Sequence, residues 1–257
     1  MNAGRTLFIG DMHSCRPEPV EALIDELEPD LTVFMGDYFD HFGDSLEATA
    51  RMARWLAESL EVEDRIHLIG NHDLPYLTAG LIGCSGYTDG KASCIYRQLD
   101  RERWRERSHL FYWMEPGTLV THAGISCSLL MQEDVPYELV RQWLTREVEP
   151  AWENLEDPDR SSLHPLWRVG KTRSLGLGTG PGGLLWCDWD HDFEPVPGLN
   201  QIIGHTPGHG IRIKTGPDGG LNICIDTCDP HGGGPRQVLL WQHGQYEIIN
   251  LGDPYHA

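Results

Sequence analysis

Residue types that bind metal ions follow five apolar runs in this chain. They stand in the segments GDMH (Asp11, His13), GDYFD (Asp37, Asp40), GNHD (Asn71, His72, Asp73), THAG (His122) and GHTP (His205). One such residue after a strand is usually a hydrogen-bonded structural residue. Five segments in series, mostly introduced by glycine, are hard to explain by packing, and they predict a metal site.

The side-chain types restrict the metal and its chemistry. Carboxylates, imidazoles and an amide suit Mn²⁺, Fe or Zn²⁺ better than Ca²⁺. These candidates are too many for one tetrahedral zinc ion, whereas two ions about 3.5 to 4 Å apart, bridged by a carboxylate, would use more of them. Such a centre holds a phosphoryl group and supplies a metal-bound hydroxide near neutral pH. Phosphate-ester hydrolysis is therefore the natural chemistry.

The elements that must position these residues are an alternation of strands and helices. The runs TLFIG, LTVFMG and RIHLIG predict strands, and the amphipathic segments 18–28 and 44–61 predict helices between them. This β-α-β-α-β pattern predicts an α/β protein with its site on loops at the carboxyl ends of the strands. The C-terminal half is predicted to be mainly strand, with a helix near 136–149 and hairpins in IRIKTGPDGGLNICID and VLLWQHGQYEII.

An insert at 74–108 interrupts this pattern. It contains IYRQLDRERWRERSH, in which alternating Arg and Glu predict a solvated helix. The insert is either a helical cap beside the site or a plain surface helix, and the charge pattern favours the surface helix.

Composition narrows the class of protein. The chain has 257 residues, a length typical of one domain, and no apolar run near the roughly 20 residues that cross a bilayer. The N-terminus lacks an export signal, and seven scattered cysteines suit free thiols, so a cytoplasmic location is expected. A formal charge of −19 opposes membrane association and non-specific nucleic-acid binding. A phosphorylated substrate would need local cations.

The segments GDMH, GDYFD, GNHD, THAGIS and GHTP, in this order, resemble the signature of the calcineurin-like metallophosphoesterases. The bacterial phosphoprotein phosphatase branch is the most similar, and GLLWCDWD at 183–190 also resembles it. The resemblance implies a layered α+β fold, a β-sandwich of two mixed sheets flanked by helices, as a single catalytic domain over 1–257. It also implies two divalent metal ions, with Mn²⁺ favoured over Fe or Zn²⁺.

The resemblance assigns roles position by position. The implied metal ligands are Asp11 and His13 on one ion, Asp37 as the bridge, and Asn71, His122 and His205 on the other ion. His72 matches the histidine that protonates the leaving alkoxide, and Asp40 matches the aspartate that orients it. The alternative for Asp40 and Asp73 is that they simply cap loops.

Two positions depart from the family pattern. Ser14 stands where the family often has glycine, and His41 stands where it often has an arginine that binds phosphate. A protonated His41 would replace that arginine in part; the alternative is an ordinary surface histidine. The segment RVGKTRS contains further cations that could bind the phosphate. We favour Arg173 for this role; the alternative is that Arg173 is an ordinary solvated charge.

The stretch IIGHTPGHGI contains two histidines, His205 and His209. In the phosphodiesterase and nuclease branches the motif is usually GHxH, and Pro207 occupies the second histidine's place here. We therefore expect His205 to be a ligand and His209 to be a loop residue at the rim. This pattern favours a phosphatase over a nuclease.

The function implied is a dimetal phosphatase of phosphomonoesters, with protein phosphoserine or phosphothreonine as one substrate class. A metal-bridging hydroxide would attack phosphorus, and His72 would protonate the leaving oxygen. The alternatives are hydrolysis of a dinucleoside polyphosphate such as diadenosine tetraphosphate, and a catalytically inactive metal-binding interaction module.

Overall fold

The computed structural model describes residues 4–41, 43–114, 117–157, 159, 162–175, 180–228 and 234–251. These residues form two compact units. The first unit comprises the described parts of Met1–His109, Pro207–Ile211 and Ile225–Ala257, and the second comprises those of Leu110–Thr206 and Arg212–Cys224. The single catalytic domain over 1–257 stays a prediction.

Strands and helices alternate in the N-terminal part of the chain. The described strands are β1 (Thr6–Ile9), β2 (Leu31–Phe34), β3 (Arg65–Leu68), β4 (Ser108–His109), β5 (Phe111–Met114), β6 (Thr118–Thr121), β7 (Asn200–Ile203), β8 (Arg212–Thr215), β9 (Leu221–Cys224), β10 (Gln237–Gln242) and β11 (Gln245–Asn250). The described helices are α1 (Glu18–Leu27), α2 (Leu46–Ser59), α3 (Leu74–Leu77), α4 (Asp89–Tyr96), α5 (Arg101–Arg107), α6 (Cys127–Gln132) and α7 (Val140–Glu156).

The first unit is built on a mixed sheet with the described order β11-β10-β1-β2-β3-β4. The strands β1, β2 and β3 run parallel, and β10 is antiparallel to β1. Every residue of β1 is buried, as expected for a parallel strand covered on both faces. The helices α1 and α2 separate the parallel strands along the chain, which confirms the predicted β-α-β-α-β pattern.

The second unit is built on another mixed sheet, with the described order β5-β6-β7-β9-β8. The strands β6 and β7 are parallel neighbours, and β8 pairs with β9 as a hairpin. This hairpin and the β10–β11 hairpin of the first unit confirm the hairpin predictions. The mixed α/β class, with two mixed sheets flanked by helices in the described residues, is confirmed.

Two helices differ from expectation because buried side chains decide where they run. The segment predicted to be a solvated helix is divided between α4 and α5, and Trp104 in α5 is fully buried, with its ring centroid 5.7 Å from that of Phe39. The helix predicted near 136–149 continues through Pro150 to Glu156. Beyond the proline, Trp152 and Leu155 are buried, so packing outweighs the local preference for ending the helix.

A buried histidine lies inside the first unit. The ring of His67 stacks on Phe34 at a centroid distance of 4.8 Å, while Tyr38 Oη and Ser59 Oγ lie 2.8 and 3.1 Å from its nitrogens. Burial lowers the pKa of His67 from 6.5 to about 3. This imidazole is therefore neutral and structural at physiological pH.

Within the described residues, no helix is long and apolar enough to cross a membrane.

Candidate metal centre and general-acid pair

Three neighbouring strands of the first unit each lead into a predicted metal ligand. Asp11 follows β1, Asp37 follows β2 and Asn71 follows β3, each after a short link that contains glycine. Because these strands are parallel and adjacent, their carboxyl ends meet at the same edge of the sheet. Segments that are far apart in sequence therefore converge at this edge.

Glycines let the loops after β2 and β3 approach closely. A Cβ on Gly36 would overlap the backbone nitrogen of Gly70, and a Cβ on Gly70 would overlap the backbone nitrogen and carboxylate of Asp37. Gly36 also has a φ of +91°, in the region that favours glycine. Glycine at these two positions therefore allows Asp37 to lie against the loop that carries Asn71 and His72.

His13 presents one ring nitrogen to two buried carboxylates. Its Nδ1 donates a hydrogen bond of 2.9 Å to the carbonyl oxygen of Phe39, so Nε2 is the unprotonated nitrogen of the neutral ring. Nε2 lies 3.6 Å from Oδ2 of Asp37 and 3.9 Å from Oδ2 of Asp11. The ligand atoms of these three residues lie within 4.8 Å of one another. Two carboxylates and an imidazole held in this tautomer fit a divalent cation.

Asp73 holds the loops that carry the ligands. It is fully buried and accepts hydrogen bonds of 2.8 to 2.9 Å from the backbone N–H groups of Asp37, Tyr38 and Gly70. Burial and the nearby charge of Asp37 raise the pKa of Asp73, while these N–H donors oppose that shift. Asp73 therefore caps these two loops, which is the alternative that the sequence left open for it.

His72 and Asp40 form a pair next to this cluster. Nδ1 of His72 lies 3.5 Å from Oδ2 of Asp40, and the His72 ring meets that of His13 edge-on at 5.2 Å. Burial lowers the pKa of His72, but the charge of Asp37 and the contacts with Asp40 and Cys84 outweigh burial and raise it well above 6.5. A protonated imidazole paired with a carboxylate can act as a general acid.

Cys84, in the insert, contacts the predicted ligand Asn71. Nδ2 of Asn71 donates to Sγ of Cys84 over 3.4 Å, so the amide nitrogen, and not the amide oxygen, faces this thiol. From the sequence, Cys84 is only one of seven scattered cysteines. Its position beside Asn71 depends on how the insert folds back, which no local pattern predicts.

His41 directly follows Asp40 and is partly buried. Its backbone carbonyl accepts a hydrogen bond of 3.2 Å from the N–H of Asp44. A phosphate-binding role for the His41 ring stays a prediction.

Two histidines follow parallel strands in the second unit. His122 directly follows β6, and His205 follows β7 after Gly204. Their rings lie 5.2 Å apart, and the N–H of Gly204 donates to the His122 carbonyl over 2.6 Å. Trp186, from GLLWCDWD, contacts His205 edge-on at 6.0 Å. Both histidines are buried, so the second unit brings together two predicted imidazole ligands.

Arg173 lies next to the His205 loop in the second unit. Its Nε is 2.9 Å from Oδ2 of Asp188, and its Nη2 donates to Oγ1 of Thr206 over 3.2 Å. Burial raises the pKa of Asp188, but the hydrogen bond from His191 and the charge of Arg173 lower it below 3.8. Asp188, the carboxylate that holds Arg173, was not among the predicted site residues.

Several predicted site residues have a left-handed backbone, which is uncommon for residues other than glycine. The φ angles are +41° at His13, +52° at Asp37, +70° at Asp40 and +70° at His205. Such conformations cluster at functional sites. His209, which was expected at the rim, is exposed, and it is not among the described residues with a left-handed backbone.

A family model described as calcineurin-like phosphoesterase matches residues 4–209. The chain belongs to this family. The match covers most of the chain and includes every metal ligand implied by the sequence motifs.

Several solved structures are similar to this phosphoesterase. They are a protein serine/threonine phosphatase from Saccharomyces cerevisiae with similarity to human phosphatase PP5 (14% identity, 97% of this chain and 81% of that chain, TM-score 0.47), a metallophosphoesterase from Sphaerobacter thermophilus (14%, 97% and 88%, 0.47) and the phosphoesterase Yfce from E. coli (13%, 97% and 94%, 0.42). No curated protein sequence matches the chain significantly.

Family membership makes this phosphoesterase a phosphoric ester hydrolase with a phosphorylated substrate. The family uses a dinuclear site for divalent metal ions, and the first unit contains a matching cluster in Asp11, His13 and Asp37.

Ser14, one of the departures from the family pattern, has a defined contact. Its Oγ donates a hydrogen bond of 2.8 Å to Oδ2 of Asp44, and its backbone φ is +58°. The left-handed conformation explains why glycine is common at this position, and the bond to Asp44 stabilises the serine that replaces it here.

Proposed function

We propose that this phosphoesterase is a dimetal phosphatase acting on phosphomonoesters, with protein phosphoserine and phosphothreonine among its substrates. The observation that carries the proposal is the His72–Asp40 pair, which lies beside the Asp11, His13 and Asp37 cluster. A phosphatase of alkyl phosphates needs both features, because the alkoxide is a poor leaving group until it is protonated.

The proposed ligand set follows the family motifs. The ligands are Asp11 and His13 for one ion, Asp37 for both ions, and Asn71, His122 and His205 for the second ion. Bound divalent ions would neutralise charge on the phosphoryl oxygens and lower the pKa of coordinated water. The preference for Mn²⁺ and the cytoplasmic location also remain predictions.

The proposed roles of the chain's own residues divide between proton transfer and substrate binding. The oxygen of a hydroxide, formed when water gives a proton to solvent, adds to phosphorus, and the bond from phosphorus to the leaving oxygen breaks. The leaving oxygen takes the proton of His72, which solvent then replaces. Asp40, at Nδ1, orients the ring so that Nε2 faces the substrate. Arg173 and His41 are proposed to bind the free phosphoryl oxygens.

The test is hydrolysis by purified, Mn²⁺-loaded protein of para-nitrophenyl phosphate, a phosphoserine peptide and diadenosine tetraphosphate, with His72→Ala as the matched control. We expect the first two substrates to be hydrolysed. Hydrolysis of diadenosine tetraphosphate alone would replace the proposal with a dinucleoside polyphosphate hydrolase. A metal-loaded protein that is inactive on all three, and unchanged by His72→Ala, would indicate a binding module.

A further inference from the structure

Asp40 has partners other than His72, and they come from the helical insert. Its Oδ1 accepts a hydrogen bond of 2.7 Å from Oη of Tyr76 on α3, and one of 3.0 Å from Nζ of Lys91 on α4. Its other oxygen, Oδ2, is the one that lies 3.5 Å from Nδ1 of His72. The two oxygens of this carboxylate therefore face different neighbours, and the insert supplies one side.

Lys91 is a cation placed between two carboxylates. Its Nζ also lies 2.6 Å from Oδ1 of Asp44, and its side chain is only 10% exposed. Burial lowers the pKa of Lys91, but Asp44 and Asp40 outweigh burial and raise it above 10.5. Lys91 therefore stays charged across the physiological range and balances two buried negative charges.

The surroundings of Lys91 exclude a role in binding the substrate phosphate directly. The ammonium group is buried and already contacts Asp40 and Asp44, so it does not replace the arginine that the family often has at position 41. Asp44 in turn accepts from Ser14, which directly follows the predicted metal ligand His13. Lys91 thus connects the general-acid pair to the first ligand loop.

Two donors on one oxygen restrict the rotation of a carboxylate. With Oδ1 held by Tyr76 and Lys91, the plane of the Asp40 carboxylate is set and Oδ2 points toward Nδ1 of His72. In this orientation Nδ1 of His72 directs its proton to Asp40. The other ring nitrogen, Nε2, can then give its proton to the leaving oxygen.

We propose that Lys91, assisted by Tyr76, is a positioning residue for the general acid: it holds Asp40 in the orientation that presents His72 to the leaving oxygen. This inference rests on the proposed role of His72 in phosphatase activity. The insert at 74–108 thereby becomes part of the catalytic apparatus without contacting the substrate.

The experiment uses the dependence of turnover on the leaving group. Para-nitrophenolate leaves readily without a proton, whereas an alkoxide such as that of phosphoserine does not, so a misplaced general acid harms alkyl phosphates selectively. For Lys91→Met we expect the ratio of kcat on phosphoserine to kcat on para-nitrophenyl phosphate to fall by about tenfold, with little change in KM. Lys91→Arg should restore most of the ratio, and Tyr76→Phe should lower it less.

A double-mutant cycle separates positioning from general stability. In a His72→Asn background the effect of Lys91→Met on the ratio should vanish, because no general acid remains to be positioned. Bound metal, measured by elemental analysis, should be the same in the wild type, Lys91→Met and Lys91→Arg. Tyr137→Phe, which removes a phenolic hydroxyl that contacts Cys127 in the second unit, is the matched control and should leave the ratio unchanged.

The failure of this inference differs from the failure of the proposed function. An equal loss of kcat on both substrates, or an effect that persists in the His72→Asn background, would overturn the positioning role. If Lys91→Met does not fold, an unchanged ratio in folded Tyr76→Phe would overturn it. A wild-type protein that hydrolyses neither phosphate would instead reject the phosphatase proposal.

Discussion

The two units of this phosphoesterase hold their predicted site residues in different ways. In the first unit, Asp40 and Asp73 are buried carboxylates that accept hydrogen bonds from several separate segments. In the second unit, His122 and His205 lie against each other at two strand ends, while Arg173 is partly exposed and held by Asp188.

The difference follows from the charge of the residues. A buried carboxylate needs donors or a cation to compensate for lost hydration, so the first unit requires backbone N–H groups and Lys91 around its aspartates. An imidazole also has a neutral form, which carries no such requirement. The contacts of His122 and His205 include each other's rings, the ring of Trp186 and the N–H of Gly204. The buried carboxylates of the first unit therefore determine which donors the structure around them must provide.

The largest expected effect tests whether the first unit dominates metal retention. Asp37→Asn should remove most of both bound ions, because the proposed bridge would be lost. His205→Ala should remove no more than one, because it is proposed to bind a single ion. Elemental analysis after gel filtration measures both. Two ions retained by Asp37→Asn would contradict the bridging role and the asymmetry between the units.

The second prediction separates proton transfer from metal binding within the first unit. His72→Ala should retain its metal content, since His72 is not a proposed ligand, while turnover of an alkyl phosphate falls roughly 10²-fold or more. Steady-state kinetics and elemental analysis on the same sample provide the measurement. Full activity on the alkyl phosphate would refute the role of His72.

The third prediction compares a carboxylate from each unit. Asp73→Ala should lower the free energy of unfolding by about 3 kcal/mol, because it leaves several buried backbone N–H groups without an acceptor. Asp188→Ala should cost about 1 kcal/mol, since its partners Arg173 and His191 are more exposed. Urea unfolding of both variants measures the difference, and equal losses would break the comparison.

The fourth prediction concerns pH and the buried His67. Its pKa is about 3 in the folded protein against an ordinary 6.5, so on acidification the unfolded chain takes up the proton first. The stability from neutral His67 is complete above pH 6.5 and falls by up to about 1.4 kcal/mol per pH unit as the pH drops toward 3. Urea unfolding at several pH values should show a smaller slope for His67→Gln, and an identical slope would show that His67 is not responsible.

The smallest expected effect concerns the cation of the second unit. Arg173→Ala should raise KM for phosphorylated substrates by about threefold to tenfold, with bound metal unchanged, if Arg173 helps to hold the phosphate. Arg146→Ala is the control, because Arg146 is a cation of the same unit that pairs with Glu147 and has no proposed role in the site. A KM for Arg173→Ala equal to that of the wild type would leave Arg173 as a partner of Asp188 alone.

The order of elements and the ligand-bearing loops could be predicted because each depends on a local pattern. Apolar runs marked β1, β2 and β3, and the metal-ligand residue types that follow them marked the loops of Asp11, Asp37 and Asn71. The same local reasoning was wrong for α7, which passes through Pro150, and for the solvated helix, in which Trp104 is buried.

Lys91 shows why the remaining part could not be predicted. It lies 51 residues from Asp40 along the chain, in a segment whose charge pattern favoured a surface helix over a cap beside the site. Cys84 reaches Asn71 in the same way, from the fold of the insert.

The sequence alone determined which residue types can bind metal, which strands lead to them and which family they mark, because hydrophobic periodicity and motif order are properties of neighbouring residues. Tertiary structure decided how each buried charge is compensated: Asp73 by the backbone of two loops, and Asp40 by Tyr76 and Lys91. The physical reason is that a buried carboxylate is stabilised by whatever donors folding brings within hydrogen-bond distance, at any separation along the chain.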